Sequence, residues 1–258
     1  MALLLGALAP LPTARAEQGS VALNLDRYAG TEAVQGWSAG AIWMGRTEKQ
    51  DPIRFGLGGE RIESGRWAFA AAGRTLRIGG RNWCDVSARL GRASLPGQSN
   101  DFAEASAVLS TSLIPGRWTL TFGDSWLDVG DREGQLLQGG LEFTAPRRWS
   151  AALRLFSGVT GDLDEDYLNG SFRLSASSLT WIVGATRGRT VPFPGAPPGM
   201  IQDSTEVYLS VAVPLGRQQA IFADSRLDGE STTRRTLTAA WLFPLPPGKG
   251  TEPEGDQP

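Results

Sequence analysis

The sequence predicts an all-β fold, a single antiparallel transmembrane β-barrel of about fourteen strands. Three observations predict it. Apolar and polar residues alternate along most of the chain, clusters of Gly, Pro, Asp and Asn separate the alternating segments, and most of the 9 tryptophans fall near segment ends. Alternation with a period of two is typical of strands. No apolar run of about 18 residues is present, so we expect no transmembrane helix.

The composition excludes several classes of function. The chain has 258 residues and no histidine, which rules out a Ser-His-Asp triad and a zinc site of the usual histidine type. We therefore expect no enzyme, no cofactor and no metal site. The formal net charge of -2 gives no basic footprint for nucleic acid. The single cysteine, Cys84, cannot form an internal disulfide.

The N-terminal segment has the form of a signal peptide. An apolar run, Leu3 to Leu11, precedes Ala14-Arg15-Ala16, a small-x-small cleavage pattern. This predicts a signal peptide over residues 1–16 and an exported chain. The alternative is the N-terminal helix of a cytosolic protein.

The strands follow in order along residues 17–245. The clearest alternation places Leu168, Phe172 and Leu174 on one face and Asn169 and Arg173 on the other. Each predicted strand has about the 9–11 residues that a tilted strand needs to cross a bilayer. Two segments, 66–78 and 217–227, are weakly patterned, so twelve strands remain an alternative. The predicted strands are 20–28, 36–46, 53–63, 66–78, 82–94, 102–114, 117–128, 135–145, 148–158, 167–178, 180–191, 204–214, 217–227 and 234–244.

The connections differ between the two ends of the predicted barrel. Short turns at one rim and longer loops at the other, with an even number of strands, are typical of bacterial outer-membrane barrels. An even number also places both termini at the short-turn rim, which is periplasmic in such barrels. At one rim, tight links are predicted at 79–80, 115–116, 146–147, 177–178 and 215–216, with a longer link at 46–51. At the other rim, longer links are predicted at 96–101, 130–134, 158–166, 192–203 and 228–232, with a tight turn at 64–65.

Tryptophan positions support a membrane location. Aromatic girdles are expected where amphipathic rings lie at the headgroup level. Trp83 is the exception, because its parity requires a bulge or an inward ring. The alternative is a soluble sandwich whose tryptophans cap its core. The predicted outward girdle is Trp37, Trp43, Trp67, Trp118, Trp126, Trp149, Trp181 and Trp241.

Several strand openings share a pattern: Gly65-Arg66-Trp67, Gly116-Arg117-Trp118 and Arg147-Arg148-Trp149. With the Ala-x-Ala start and a last strand ending in Trp241-Leu242-Phe243, the chain resembles small Gram-negative outer-membrane β-barrel proteins of the YaiO type. The resemblance implies that the barrel-assembly machinery reads a terminal aromatic, here Phe243. The chain departs from that pattern because residues 246–258, a predicted disordered tail, follow it.

Charged residues on the polar faces are the candidate functional residues. In a barrel they would line the lumen, either as a polar channel that tunes selectivity or as ion pairs that fill the interior. The predicted lumen-facing residues are Glu60, Arg74, Asp85, Arg89, Glu104, Glu142, Arg154, Arg173, Glu206 and Asp224.

Two functions from different classes remain open. The first is an outer-membrane pore or transport channel for small polar solutes or glycan segments, and the second is a closed structural or assembly barrel of the envelope. A third, a soluble exported β-sandwich that binds carbohydrate, is less favoured. The expected partners are outer-membrane lipid and lipopolysaccharide, with Arg187 and Arg189 as candidate phosphate contacts at the outer rim.

Overall fold

The computed structural model describes residues 20–245, apart from 31–34, 48–50, 64, 96–97, 130–131, 147, 162–164, 177 and 191–201. The predicted signal peptide and the predicted tail lie outside the described residues. In the described part of the chain, no helix is long and apolar enough to cross a membrane.

Fourteen antiparallel strands form one closed barrel, in which each strand pairs with its sequence neighbours and β1 pairs with β14. The predicted fold class is therefore confirmed, and both the twelve-strand alternative and the two-sheet sandwich are wrong. The strands are β1 Ser20–Gly30, β2 Gly36–Arg46, β3 Pro52–Ile62, β4 Gly65–Arg77, β5 Asn82–Leu95, β6 Gln98–Ile114, β7 Trp118–Val129, β8 Arg132–Thr144, β9 Trp149–Gly161, β10 Asp166–Ala176, β11 Leu179–Thr190, β12 Gln202–Leu215, β13 Gln218–Gly229 and β14 Thr233–Pro244.

The barrel closes along an unbroken ladder. Partners run from Ser20 opposite Pro244 to Gly30 opposite Arg234, so the first strand is paired on both sides. Closure leaves no free strand edge, which is the condition for burying a β-structure in lipid. The register shifts at two places, between Ser112 and Ile114 in β6 and between Gln135 and Leu136 in β8.

The outer face is apolar and exposed. Large side chains such as Leu57, Leu90, Phe122 and Leu155 point away from the barrel and are exposed. A water-soluble protein rarely exposes so continuous an apolar surface, whereas a lipid-facing barrel requires one. The alternate residues on the same strands face the interior.

Most predicted girdle tryptophans lie on this outer face. Trp118, Phe143, Trp149 and Phe172 form a continuous aromatic run across β7 to β10, with ring centroids 4.8, 5.1 and 5.7 Å apart. Centroid separations of about 4.5–7 Å are typical of favourable aromatic pairs. Because these rings lie where the strands begin or end near the turns, they form one aromatic band.

Trp67 corrects the predicted girdle. It lies opposite Glu60, is only 6% exposed and faces the interior. On β4 the alanines Ala68, Ala70 and Ala72 face outward instead. The sequence prediction placed the large apolar side chains of this strand outward, and that assignment is wrong. The large rings of β4 fill the interior, and its small side chains face the lipid side. Trp83, the predicted exception, shares the inward parity of Asp85.

The lengths of the connections differ less between the two rims than the sequence predicts. The terminal rim, where β1 begins and β14 ends, carries tight turns such as 115–117 and 216–217, in which Gly116 and Gly216 adopt positive φ angles of 69° and 67°. The opposite rim, called here the loop rim, has one long connection, residues 191–201. The links predicted at 96–101 and 130–134 are shorter than expected because β6 and β8 extend further toward this rim.

A charged residue introduced on the outer face, midway along a strand, should lower the free energy of unfolding. Leu209 is exposed on the outer face of β12, and Ser210 beside it faces inward. We expect Leu209→Arg to lower the free energy of unfolding by about 2 kcal/mol, because an arginine there meets hydrocarbon. Ser210→Arg is the matched control and should cost less than half as much. The temperature at which the folded band disappears on unheated gels measures both, and equal losses would contradict the assignment of the faces.

Candidate functional site in the barrel lumen

The inner face carries several charged and aromatic groups that closure brings together. The register places Glu60, Asp85, Arg89, Glu104, Glu142, Arg154, Arg173 and Glu206 on this face. Their roles in selectivity remain predictions.

Two of the predicted lumen residues point outward instead. Arg74 lies opposite Ile53 and bonds Asp51 at 2.8 Å, on the face opposite the inward Thr75. Asp224 lies between the exposed Leu209 and Leu237 and accepts two bonds from Arg235, at 2.9 and 2.7 Å. The predictions for Arg74 and Asp224 are therefore wrong. Both of these outward charges are neutralised by an adjacent partner, so polarity alone did not reveal the face on which they lie.

Asp26 occupies the seam where the barrel closes. Its carboxylate is 1% exposed and accepts bonds from Ser38 on β2, from Thr238 on β14 at 2.6 Å and from Asn24 at 3.2 Å. Ser38 and Thr238 are also its direct cross-strand partners. One buried carboxylate thus links three consecutive strands, and buried carboxylates require such donors.

Two further carboxylates, Glu60 and Glu206, extend this cluster. Glu60 is 3% exposed and lies opposite Ser38, which donates to Asp26. Arg234 approaches Glu206 at 3.8 Å and lies over the Tyr28 ring at 5.7 Å. We call Asp26, Glu60, Glu206 and Arg234 the acidic wall, because it holds three carboxylates and one guanidinium.

An arginine and two rings form a second group, the aromatic clamp of Phe69, Arg89, Phe102 and Glu104. Arg89 pairs with Glu104, and its guanidinium lies 5.6 Å from the Phe69 centroid and 5.5 Å from that of Phe102. Such cation–π contacts hold a charged group in a fixed position while its pairing partner remains accessible. Gly58 leaves room for the clamp, because a Cβ there would lie 2.5 Å from the Phe69 ring.

A second aromatic pair lies on the inner face of β9 and β10. Phe156 and Tyr167 are direct cross-strand partners, and their rings stack with centroids 4.5 Å apart.

A group of charged residues on β8 to β10 shares the inner face with the acidic wall. Arg154 on β9 lies opposite Gly140 and Asn169, and Arg173 on β10 lies opposite Ser150 and Ile182, so no carboxylate is directly opposite either one in the register. Glu142 on β8 shares this inner face. We call Glu142, Arg154 and Arg173 the basic wall. Glu206 of the acidic wall connects to Arg154 through the cross-strand partners Thr186 and Asn169, so the two walls adjoin around the inner face.

Solvent reaches charged groups inside the barrel. Arg54 bonds Asp85 at 2.8 Å, and Thr75 bonds the same carboxylate at 2.9 Å. The Arg54 and Asp85 side chains are each 32% exposed although both face inward. Among the described residues, no group of three or more His, Cys, Asp or Glu side chains could hold a metal ion.

The sequence analysis missed Asp26, Tyr28, Arg54, Phe69, Phe102 and Arg234. Asp26 carried a usable signal, since it alternates with Leu23 and Leu25, two outward residues of β1. The rings carried none, because an inward phenylalanine and an outward one look alike in sequence.

Comparisons with known proteins find structures of similar fold. No protein-family model and no curated protein sequence matches the chain. The barrel is similar to the CymD monoaromatic hydrocarbon channel, with a TM-score of 0.62, 8% identity and 89% of each chain covered. It is also similar to a bacterial polysaccharide outer membrane secretin, with a TM-score of 0.51, 9% identity, and coverage of 89% of this chain and 99% of that one. At these identities the likeness establishes the fold, that of outer-membrane β-barrels.

Proposed function

We propose that this chain is an outer-membrane channel for small polar solutes, including glycan segments, and that it has no enzymatic activity. The single observation that carries the proposal is that the paired side chains of Arg54 and Asp85 are exposed to solvent although they lie on the inner face of the barrel. A water-filled path through lipid needs a polar lumen within an apolar exterior.

The arrangement of charge and aromatic rings supports this class of solute. The acidic wall, the basic wall and the aromatic clamp all lie on the inner face of the barrel. Ring faces beside charged groups suit solutes that carry both CH and hydroxyl surfaces, as sugars do. Opposed charges orient polar solutes while repelling purely apolar ones.

A closed structural or assembly barrel of the envelope is the second candidate. It is favoured by the deep burial of Glu60 and Trp67, which shows that part of the interior is packed. If side chains fill the interior completely at the height of the aromatic clamp, ions cannot pass through the barrel. The electrical experiment below separates the two candidates.

Substituted cysteines provide that experiment. In a Cys84→Ser background, Ser171→Cys places a thiol on the inner face, and Val183→Cys places one on the outer face of the next strand. We expect single channels in planar bilayers whose current falls stepwise when a charged, water-soluble methanethiosulfonate reagent modifies Cys at position 171. The matched variant at position 183 should keep its current. Folded protein that conducts no current would overturn the channel and favour the closed barrel.

The proposal also includes the orientation and the biogenesis of the barrel. We propose that the termini are periplasmic, that the loop rim faces outward, and that the barrel-assembly machinery reads the end of β14 at Phe243. Kinship with the YaiO type is part of this proposal and rests on the shared strand openings. An epitope placed within residues 191–201 should be labelled on intact cells, and one placed after Pro258 should not.

A further inference from the structure

One outward row of side chains near the loop rim is basic instead of apolar. Arg27, Trp37, Arg61 and Arg66 are successive cross-strand partners on β1 to β4. All four are exposed on the outer face. We call them the arginine row. Direct cross-strand neighbours have Cβ atoms about 4.5–5.5 Å apart, so Arg61 and Arg66 are adjacent like charges.

The arginine row differs in its pairing from several other outward arginines. Arg92 bonds Asp101 at 2.7 Å, Arg226 bonds Asp228 at 3.0 Å, and the Asp224 carboxylate holds Arg235. In contrast, no described carboxylate forms an ion pair with Arg27, Arg61 or Arg66. Adjacent, uncompensated like charges destabilise a sheet, and a lipid-facing surface makes this cost larger. An anion bound from outside the chain would neutralise these charges.

The shape of the surface fits such an anion. A groove of about 560 Å³ runs along the row, lined by the three arginines, Trp37 and Glu63. Arg27 Nη1 bonds the Gly36 carbonyl at 3.4 Å, which leaves its other N–H groups free to face the groove. Trp37 is 45% exposed and gives the groove an apolar wall beside its guanidinium groups. Glu63 contributes a carboxylate to the lining of the groove.

We infer that the arginine row binds the phosphates of lipid A, the membrane-embedded part of lipopolysaccharide. Guanidinium groups bind phosphate bidentately, and two adjacent arginines match a doubly charged headgroup. The indole of Trp37 suits the boundary between headgroup and acyl chain. The inference rests on the proposed outer-membrane location and on the orientation that turns the loop rim outward.

Native mass spectrometry of the folded, detergent-solubilised barrel tests the inference. We expect diphosphorylated lipid A to bind the wild type, and the double variant Arg61→Gln, Arg66→Gln to weaken binding at least about tenfold, since each lost charge-assisted bond is worth about that factor. Arg226→Gln is the matched control and should bind as the wild type does. Dephosphorylated lipid A should bind no better to the wild type than to the double variant.

Two outcomes would overturn the inference. One is equal binding of diphosphorylated lipid A by the wild type and the double variant. The other is a wild type that binds phosphatidylglycerol as tightly as diphosphorylated lipid A, which would assign the row to any anionic lipid. Conductance of the same variants, expected to be unchanged, tests the channel separately, so a failure of the channel and a failure of the lipid site remain distinguishable.

Discussion

The double variant Arg154→Glu, Arg173→Glu is expected to shift the ion selectivity of the channel strongly toward cations while the barrel still folds. The change turns the basic wall into three carboxylates on the same inner face as the acidic wall. A lumen lined by carboxylates attracts cations, and luminal substitutions tune selectivity without meeting lipid. Reversal potentials in a salt gradient across a planar bilayer measure the effect.

Arg187→Glu is the control for this change. Arg187 is exposed on the outer face of β11, so reversing its charge alters the protein's net charge without altering the lumen. We expect its reversal potential to match that of the wild type. A conducting double variant with unchanged selectivity would contradict the placement of Arg154 and Arg173 beside the ion path. A double variant that unfolds at a markedly lower temperature would favour a packed interior.

Removal of the Asp26 carboxylate should have the largest effect on stability. Asp26→Ala leaves Ser38 and Thr238 without their acceptor at the seam between the first and last strands. Hydrogen bonds to a charged group contribute about 1.5–3 kcal/mol each, so we expect a loss of about 4 kcal/mol in the free energy of unfolding. Asp26→Asn keeps an acceptor oxygen and should lose less.

Asp101→Ala is the matched control for the seam. The Asp101 carboxylate also accepts hydrogen bonds, from Arg92, but both side chains are largely exposed near the loop rim, where such pairs contribute little to stability. The midpoint of heat-induced mobility change on gels, or of urea unfolding in lipid vesicles, compares the two. Equal destabilisation by both alanine variants would show that Asp26 does not hold the closure.

Local sequence predicted the strands well because a two-residue period is a local property. All fourteen strands lie where alternation and turn residues place them, including the weakly patterned β4 and β13. The same alternation identified the inner face wherever large apolar and charged residues separate cleanly, as on β10. On β4 and β13 it failed, because rings face inward on the former and a paired carboxylate faces outward on the latter.

The sequence by itself determined the all-β class, the order of the strands and most of the inward and outward faces. The tertiary structure alone decided which inward groups meet. Asp26 and Thr238 are 212 residues apart and become partners only when β14 closes on β1. The same closure brings the guanidinium of Arg234 on β14 over the Tyr28 ring on β1. The physical reason is that alternation depends on neighbouring residues, whereas contacts across a lumen depend on the strand number and register of the whole barrel.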